Sequence, residues 1–353
     1  MSKHLVIMAG GIGSRFWPMS TTECPKLFLD ITGCGRTMIQ QTFDRFEGII
    51  DMEHVWVVTS ENFKHLVTKQ LEGIQPQHIL LEPCMRNTAP CIAYVSWKIQ
   101  KEDPEAQIVV APSDHLVLKV DKFKEAIARG FEFISQGNRI LTLGMQPTRP
   151  EIGYGYIEQG EEKENGIFKL ASFREKPNLP TAIGYLQKGT YTWNSGMFMW
   201  KVETIINELR LYAPQIAEVM DQISSSLFEE NEQEVVNQYF PTCEKISIDY
   251  AVMERTQVAF VQPAEFGWSD LGTWGSLHAI SSKDVHNNAL IGNDIQMFES
   301  RNCVVHTTQE KKVVIQGLNG FIVAEKYDTL LICRMSEEQR IKQFAEESKQ
   351  TVK

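Results

Sequence analysis

One stretch constrains this chain more than any other: Leu5–Phe28, LVIMAGGIGSRFWPMSTTECPKLF. Leu5, Val6, Ile7 and Met8 form a continuous apolar run, as expected of a central parallel strand. Gly10, Gly11 and Gly13 follow at once. Glycine reaches positive φ and lets a ligand approach the main chain. Successive backbone N–H groups in such a loop can point at an anion. With Arg15 and Lys26 close behind, the pattern predicts a phosphate site at the end of the first strand. Two common motifs do not fit. A Walker A loop needs a lysine directly after its glycines, and a dinucleotide fingerprint begun at Gly11 ends on Phe16 instead of a small residue. A tight turn with no ligand is the bland alternative, and the two cations downstream argue against it.

The length of 353 residues suits two domains. The pattern divides them at 1–282, a catalytic domain, and 283–353, a β-rich domain ending in a helix. No apolar run approaches the ~20 residues of a membrane helix, so no membrane span is expected. MSKH leads straight into the first strand, so no secretory signal is expected. The seven cysteines are scattered, odd in number and without C-x-x-C spacing, which favours reduced thiols and a cytoplasmic location over disulfides or a zinc site. The net charge of −10 argues against a nucleic-acid partner. It also means that an anionic substrate needs local positive groups and a divalent cation.

Through about residue 145 strand and helix alternate. Helices are expected at Thr37–Ile50, Asn62–Leu71, Thr88–Ile99 and Phe123–Ile134, and strands at Val55–Val58, Ile79–Leu81, Ile108–Ala111 and Ile140–Leu143. Repeated βα units give an α/β domain with a mostly parallel sheet, and such sheets bind ligands beyond the carboxyl ends of their strands. The glycine loop, Glu82 and Asp114 all fall there. Beyond Gly153 strands are expected at Gly153–Ile157, Phe168–Arg174, Tyr191–Trp200 and Val258–Val261. Helices are expected at Leu179–Gln187, over most of Glu203–Tyr239, at Ile248–Met253 and at Leu271–Ile280. After about Ser282 come five short strands and a charged helix, Glu337–Ser348. Their spacing fits a short β-helix or a β-meander.

Several residues carry two readings each. Lys26 is a surface lysine or a compact charge for an oxygen that becomes more negative in phosphoryl transfer. Arg15 is a surface arginine or a forked donor to phosphate. Asp114 and Asp270 are helix caps, Asp270 for Leu271–Ile280, or ligands of Mg²⁺, which takes one or two carboxylates with phosphate oxygens and water. His115 is read as packing or support. Glu175-Lys176 is an exposed ion pair, or one side chain accepts from sugar hydroxyls while the other holds a phosphate. Asn194, in an apolar strand, must find partners in the backbone or a ligand. Tyr154 and Tyr156 are packing residues, unless the glycines around them admit a ligand.

Taken together these segments resemble a known family. Gly10-Gly11-Ile12-Gly13-Ser14-Arg15-Phe16-Trp17-Pro18 with Pro25-Lys26 resembles the signature of sugar-1-phosphate nucleotidyltransferases. Glu82-Pro83, Arg86-Asn87-Thr88-Ala89-Pro90, Pro112-Ser113-Asp114-His115, Trp193-Asn194-Ser195-Gly196-Met197-Phe198 and Phe266-Gly267-Trp268-Ser269-Asp270 resemble the bacterial type of mannose-1-phosphate guanylyltransferase. The resemblance implies a Rossmann-like domain and a reaction of GTP with mannose 1-phosphate. It implies that Gly10, Gly11, Gly13 and Arg15 cradle the triphosphate and that Lys26 contacts the reacting phosphates. Asp114 and Asp270 would hold Mg²⁺. Glu82, Asn87 and Thr88 would lie near the guanine, and Gly155, Glu175, Lys176, Asn194 and Asp249 near the mannose phosphate. A homodimer is plausible on the same ground. Two departures stand out. Met19-Ser20-Thr21 replaces a Leu-Ser-Arg run common in relatives, which predicts weaker triphosphate binding if that arginine touches phosphate. The chain also ends too soon for the isomerase domain of bifunctional relatives, so no isomerase activity is expected. The alternatives are a nucleotidyltransferase for another nucleotide or hexose phosphate, and a non-catalytic nucleotide-sugar sensor.

Overall fold

A computed structural model describes residues 1–307 and 311–350. In chain order the strands are β1 (Lys3–Ala9), β2 (Val55–Ser60), β3 (Ile79–Glu82), β4 (Gln107–Pro112), β5 (Leu116–Val117), β6 (Ile140–Met145), β7 (Tyr156–Glu164), β8 (Ile167–Arg174), β9 (Tyr191–Lys201), β10 (Ala259–Ala264) and β11 (Trp268–Ser269). They are followed by β12 (Ala289–Ile291), β13 (Asp294–Phe298), β14 (Val304–His306), β15 (Lys312–Gln316), β16 (Phe321–Lys326) and β17 (Thr329–Arg334). The chain gathers into two compact units. One holds Met1–Gly10, Thr42–Ser113 and Val117–Trp268; the other holds Gly11–Gln41, Asp114–Leu116 and Ser269–Lys353.

The first unit is built on a nine-stranded sheet of order β3-β2-β1-β4-β9-β6-β10-β8-β7. Its left half is parallel: β1 pairs with β2 and β4, and β2 with β3. Leu5, Val6 and Ile7 are consecutive and wholly buried, so both faces of β1 are covered, which is why its sequence does not alternate. Val6, Val58, Leu80 and Val110 share one core with the helices Thr88–Glu102, Val202–Tyr212 and Pro214–Ser224. The right half is mixed, because β9 runs antiparallel to β4 and β6.

The second unit packs its own core. Phe16, Met19, Ile31 and Met38 share it with Leu271, Trp274, Ala289, Ile291, Val304, Ile322, Leu331 and Ile341. Strands β12, β14 and β16 pair in parallel, as do β13 and β15, and β17 closes antiparallel on β16. An amide ladder stitches successive turns: Asn287 donates to Asn302 Oδ1 at 2.8 Å, and Asn302 to Asn319 Oδ1 at 2.9 Å.

Several boundaries differ from the sequence reading. The helix expected over Thr37–Ile50 is confined to Met38–Asp44. The strand expected from Gly153 starts at Tyr156. The helix expected from Leu271 starts at Trp274, because Thr273 accepts the Ser276 N–H at 3.1 Å and is the cap. No helix among the described residues is long and apolar enough to cross a membrane.

Candidate active site

In the second unit the glycine loop, Lys26, Asp114 and Asp270 come together. Gly11 and Gly13 take φ of 88° and 69°, the left-handed region expected of glycines in such a loop. A Cβ on Gly13 would stand 2.6 Å from Lys26 Cβ, so the loop needs glycine there for close approach as well. Ile12 C=O accepts the Lys26 N–H at 3.0 Å, which folds the loop back on itself. Arg15 is exposed in the short 3₁₀ turn Ser14–Phe16.

Lys26 is 3% exposed, not a surface lysine. Its Nζ meets Asp114 Oδ2 at 2.7 Å and donates to the carbonyls of Leu271 at 2.9 Å, Asp270 at 3.2 Å and Asp114 at 3.3 Å. An ammonium has three protons, and these oxygens already compete for them. Lys26 therefore brackets the two aspartates. Neither aspartate caps a helix. Thr273 takes that role next to Asp270, and Asp114 leads into β5 instead of a helix. Asp270 Oδ1 accepts the Gly272 N–H at 3.0 Å. Burial works to raise the Asp114 carboxyl pKa, but the Lys26 ammonium and its neighbours bring it below the usual carboxylate range. Asp114 thus stays ionised at neutral pH. Asp114 meets the ammonium through its carboxylate and Asp270 through its main-chain carbonyl. The two carboxylates are hard oxygen donors, a set that suits a divalent cation held jointly with substrate oxygens.

In the first unit the remaining candidates form two connected groups. Glu82 ends β3 and lines a cavity of about 220 Å³ with Ala9, Gly10, Ser60, Cys84 and Met85. Its Oε1 is buried without a hydrogen-bond partner among the described residues, and burial pushes the carboxyl up to about 8. Asn87 has φ of 68°, costly for a residue with a Cβ, and its side chain accepts the Thr88 N–H at 2.9 Å. Thr88 Oγ1 accepts the Ile248 N–H at 2.9 Å, which joins the start of the Thr88–Glu102 helix to the segment carrying Asp249.

Asn194 is the hub of the other group. Its N–H donates to Gly155 C=O at 2.8 Å and its Nδ2 to Asp249 Oδ1 at 3.1 Å, and its Oδ1 accepts the Gly196 N–H at 3.0 Å. Glu175 pairs with Lys176 Nζ at 2.9 Å, and a Cβ on Gly155 would sit 2.5 Å from Glu175 Oε2. Burial first, then the Glu175 charge, pushes the Asp249 carboxyl up to about 6. Two carboxyls and an amide converging on a half-buried surface are acceptors and donors suited to hydroxyls. The aromatic wall of this group is only partly legible in the sequence. Tyr154 meets Trp193 and Trp268 edge-on with ring centroids at 5.2 and 5.3 Å, and Arg149 lies over Trp193 at 5.3 Å.

The parallel sheet with a glycine loop beyond its first strand, and the paired aspartates, define a nucleotidyl-transferring class of protein. Residues 4–287 match the nucleotidyl transferase family, and the chain belongs to it. It is 36% identical to the mannose-1-phosphate guanylyltransferase of Escherichia coli (strain K12), over 98% of this chain and 73% of that one. It is also 36% identical to the alginate biosynthesis protein AlgA of Pseudomonas fluorescens, over 96% and 70%. Among solved structures, a Thermus thermophilus protein described as a mannose-1-phosphate geranyltransferase superposes with a TM-score of 0.90 at 29% identity, covering 99% of this chain and all of that one. A Helicobacter pylori protein described as a mannose-6-phosphate isomerase gives 0.62 at 25% identity over 76% of this chain. The family resemblance read from the motifs is thus borne out.

Proposed function

We propose that the chain transfers GMP from GTP to α-D-mannose 1-phosphate, giving GDP-mannose and pyrophosphate. One observation carries this reading. Lys26 joins two aspartates that no helix needs as caps, beside a glycine loop with two residues at positive φ. A sugar phosphate is already an oxyanion near pH 7, so its attack on the α-phosphorus requires no general base. The new bond is from phosphate oxygen to α-phosphorus, and the bond to the bridging oxygen breaks as pyrophosphate leaves. The protein supplies alignment and charge neutralisation. Asp114 and Asp270 would hold Mg²⁺, which supplies Lewis-acid neutralisation of phosphate oxygens. Lys26 fixes the Asp114 carboxylate and the main chain at Asp270, and can exchange one of its carbonyl partners for a phosphate oxygen. Gly10, Gly11, Gly13 and Arg15 offer backbone donors and a forked cation to the triphosphate.

Glu82 reads the base. Burial keeps the Glu82 carboxyl protonated near neutral pH in the free protein. Guanine presents two adjacent N–H donors on its pairing edge, which the carboxylate accepts on giving up that proton; adenine presents no such pair. Asn87 and Thr88 shape the approach. Gly155, Glu175, Lys176, Asn194 and Asp249 hold the mannose phosphate. The seven free thiols fit a cytoplasmic setting, and a homodimer is the assembly we favour.

The test is pyrophosphate release measured across four nucleoside triphosphates and several hexose 1-phosphates, with a parallel assay for mannose 6-phosphate isomerisation. GTP with mannose 1-phosphate should dominate, and chelation of divalent cations should abolish it. A preference for dTTP or ATP would overturn the assignment. Consumption of mannose 6-phosphate would instead favour the activity named for the Helicobacter pylori protein.

A further inference from the structure

The segment Met19-Ser20-Thr21 is where the glycine loop turns back toward Lys26. Most of its supports are local. Ser20 N–H donates to Phe16 C=O at 3.0 Å, Ser20 Oγ donates to Ile12 C=O, and Thr21 and Cys24 exchange bonds at 3.1 Å. One support is remote. Lys326, the last residue of β16, donates from Nζ to Met19 C=O. Its side chain is buried, with 9% of the residue exposed, and it forms no ion pair among the described residues. A buried ammonium without a carboxylate is expensive, and a methionine of similar length would fill the same space without that cost. Met19 and Phe16 meanwhile share their core with Ile322 and Ala324 of the same strand β16. The strand thus holds the loop by its apolar face and, at its end, by one charged hydrogen bond.

We propose that Lys326 is a positioning residue for the nucleotide: through the Met19 carbonyl it fixes the arm of the glycine loop between Gly13 and Lys26. The inference rests on the reading of that loop as the triphosphate cradle. It also gives Ser20 and Thr21 a role. They brace the loop from within, while the cation comes from the β module.

The experiment compares steady-state KM values for GTP and mannose 1-phosphate in the wild type, Lys326→Met, Lys326→Arg and Val323→Ala. Val323 lies in a separate apolar cluster with Cys303, Val305 and Ile315, so its truncation weakens the module without touching the loop. Lys326→Met should raise the KM for GTP about tenfold, the effect of losing one hydrogen bond from a charged donor, and leave that for mannose 1-phosphate within about twofold. Lys326→Arg, which keeps a charged donor, should stay near the wild type. Val323→Ala should lower Tm with the KM for GTP unchanged. Hydrogen exchange at the Ser20 and Thr21 amides, without nucleotide, should quicken in Lys326→Met alone. An unchanged KM for GTP in Lys326→Met, or an equal rise in Val323→Ala, overturns the inference. If Lys326→Met does not fold, Lys326→Arg carries the comparison, and a tenfold rise there overturns it. A wild type that releases no pyrophosphate from GTP and mannose 1-phosphate would sink the functional reading, while the exchange rates would still decide whether the tether exists.

Discussion

Lys26 shows how far a single side chain can depart from its sequence reading. The bland view is an exposed lysine and the functional view a cation facing phosphate. It is instead buried, with Asp114 and three backbone carbonyls around it. Lys26→Met should therefore do two things. Turnover should fall by about 10²-fold or more, as when one electrostatic donor is removed. Stability should fall by about 2 kcal/mol, below the ~3–5 kcal/mol of a fully buried broken pair because a third of the Asp114 side chain is exposed. Single-turnover kinetics and urea unfolding separate the two, and near-normal turnover would remove Lys26 from the chemistry. Glu82 makes a pH-dependent case. Burial raises its folded pKa to about 8, so folding favours the protonated form. That stabilisation is complete below the ordinary glutamate value and is lost as pH rises through about 8. Glu82→Gln cannot ionise, so its stability relative to the wild type should grow by on the order of 3 kcal/mol between pH 5 and pH 9. Urea midpoints of the two proteins that move in parallel would refute this. The same variant should narrow the preference for GTP over ATP.

Secondary-structure elements are legible in proportion to their burial. β1, β4 and β6 are buried on both faces and read as plain apolar runs. β13 escapes a sequence reading because Asp294–Phe298 is nowhere fully buried, and the exposed Phe298 breaks the alternation that Ile295 and Met297 begin. The start of the Trp274–Ile280 helix is misplaced by three residues because Asp270 and Thr273 are both acceptable caps by type. Only the bond from the Ser276 N–H to Thr273 decides between them. That decision matters chemically, since Asp270 is then not the cap of that helix. Asp249 lies in a single π-helical turn, Asp249–Met253, a local geometry that sequence periodicity does not reveal.

The apolar core of the second unit joins parts of the chain that are hundreds of residues apart. Phe16, Met19, Ile31 and Met38 pack with Ala289, Val304, Ile322, Leu331 and Ile341. A chain cut after Ser282 would lose the second set and leave the first exposed. Such a truncation should not keep a functional glycine loop. We expect it to be aggregation-prone or to lose GTP-dependent thermal stabilisation, read as the Tm shift on adding GTP. A truncated protein with wild-type shift would show that the loop folds without the β module. The sequence by itself determined the α/β class, the glycine loop and the chemical types at most candidate positions. Those depend on local periodicity, on backbone conformations that glycine reaches, and on motifs read along the chain. Tertiary structure alone decided that Lys26 brackets Asp114 and Asp270, that Glu82 keeps a buried oxygen without a partner among the described residues, and that Lys326 reaches Met19. Each of these is a contact or a desolvation set by residues far apart in sequence, and no local pattern encodes them.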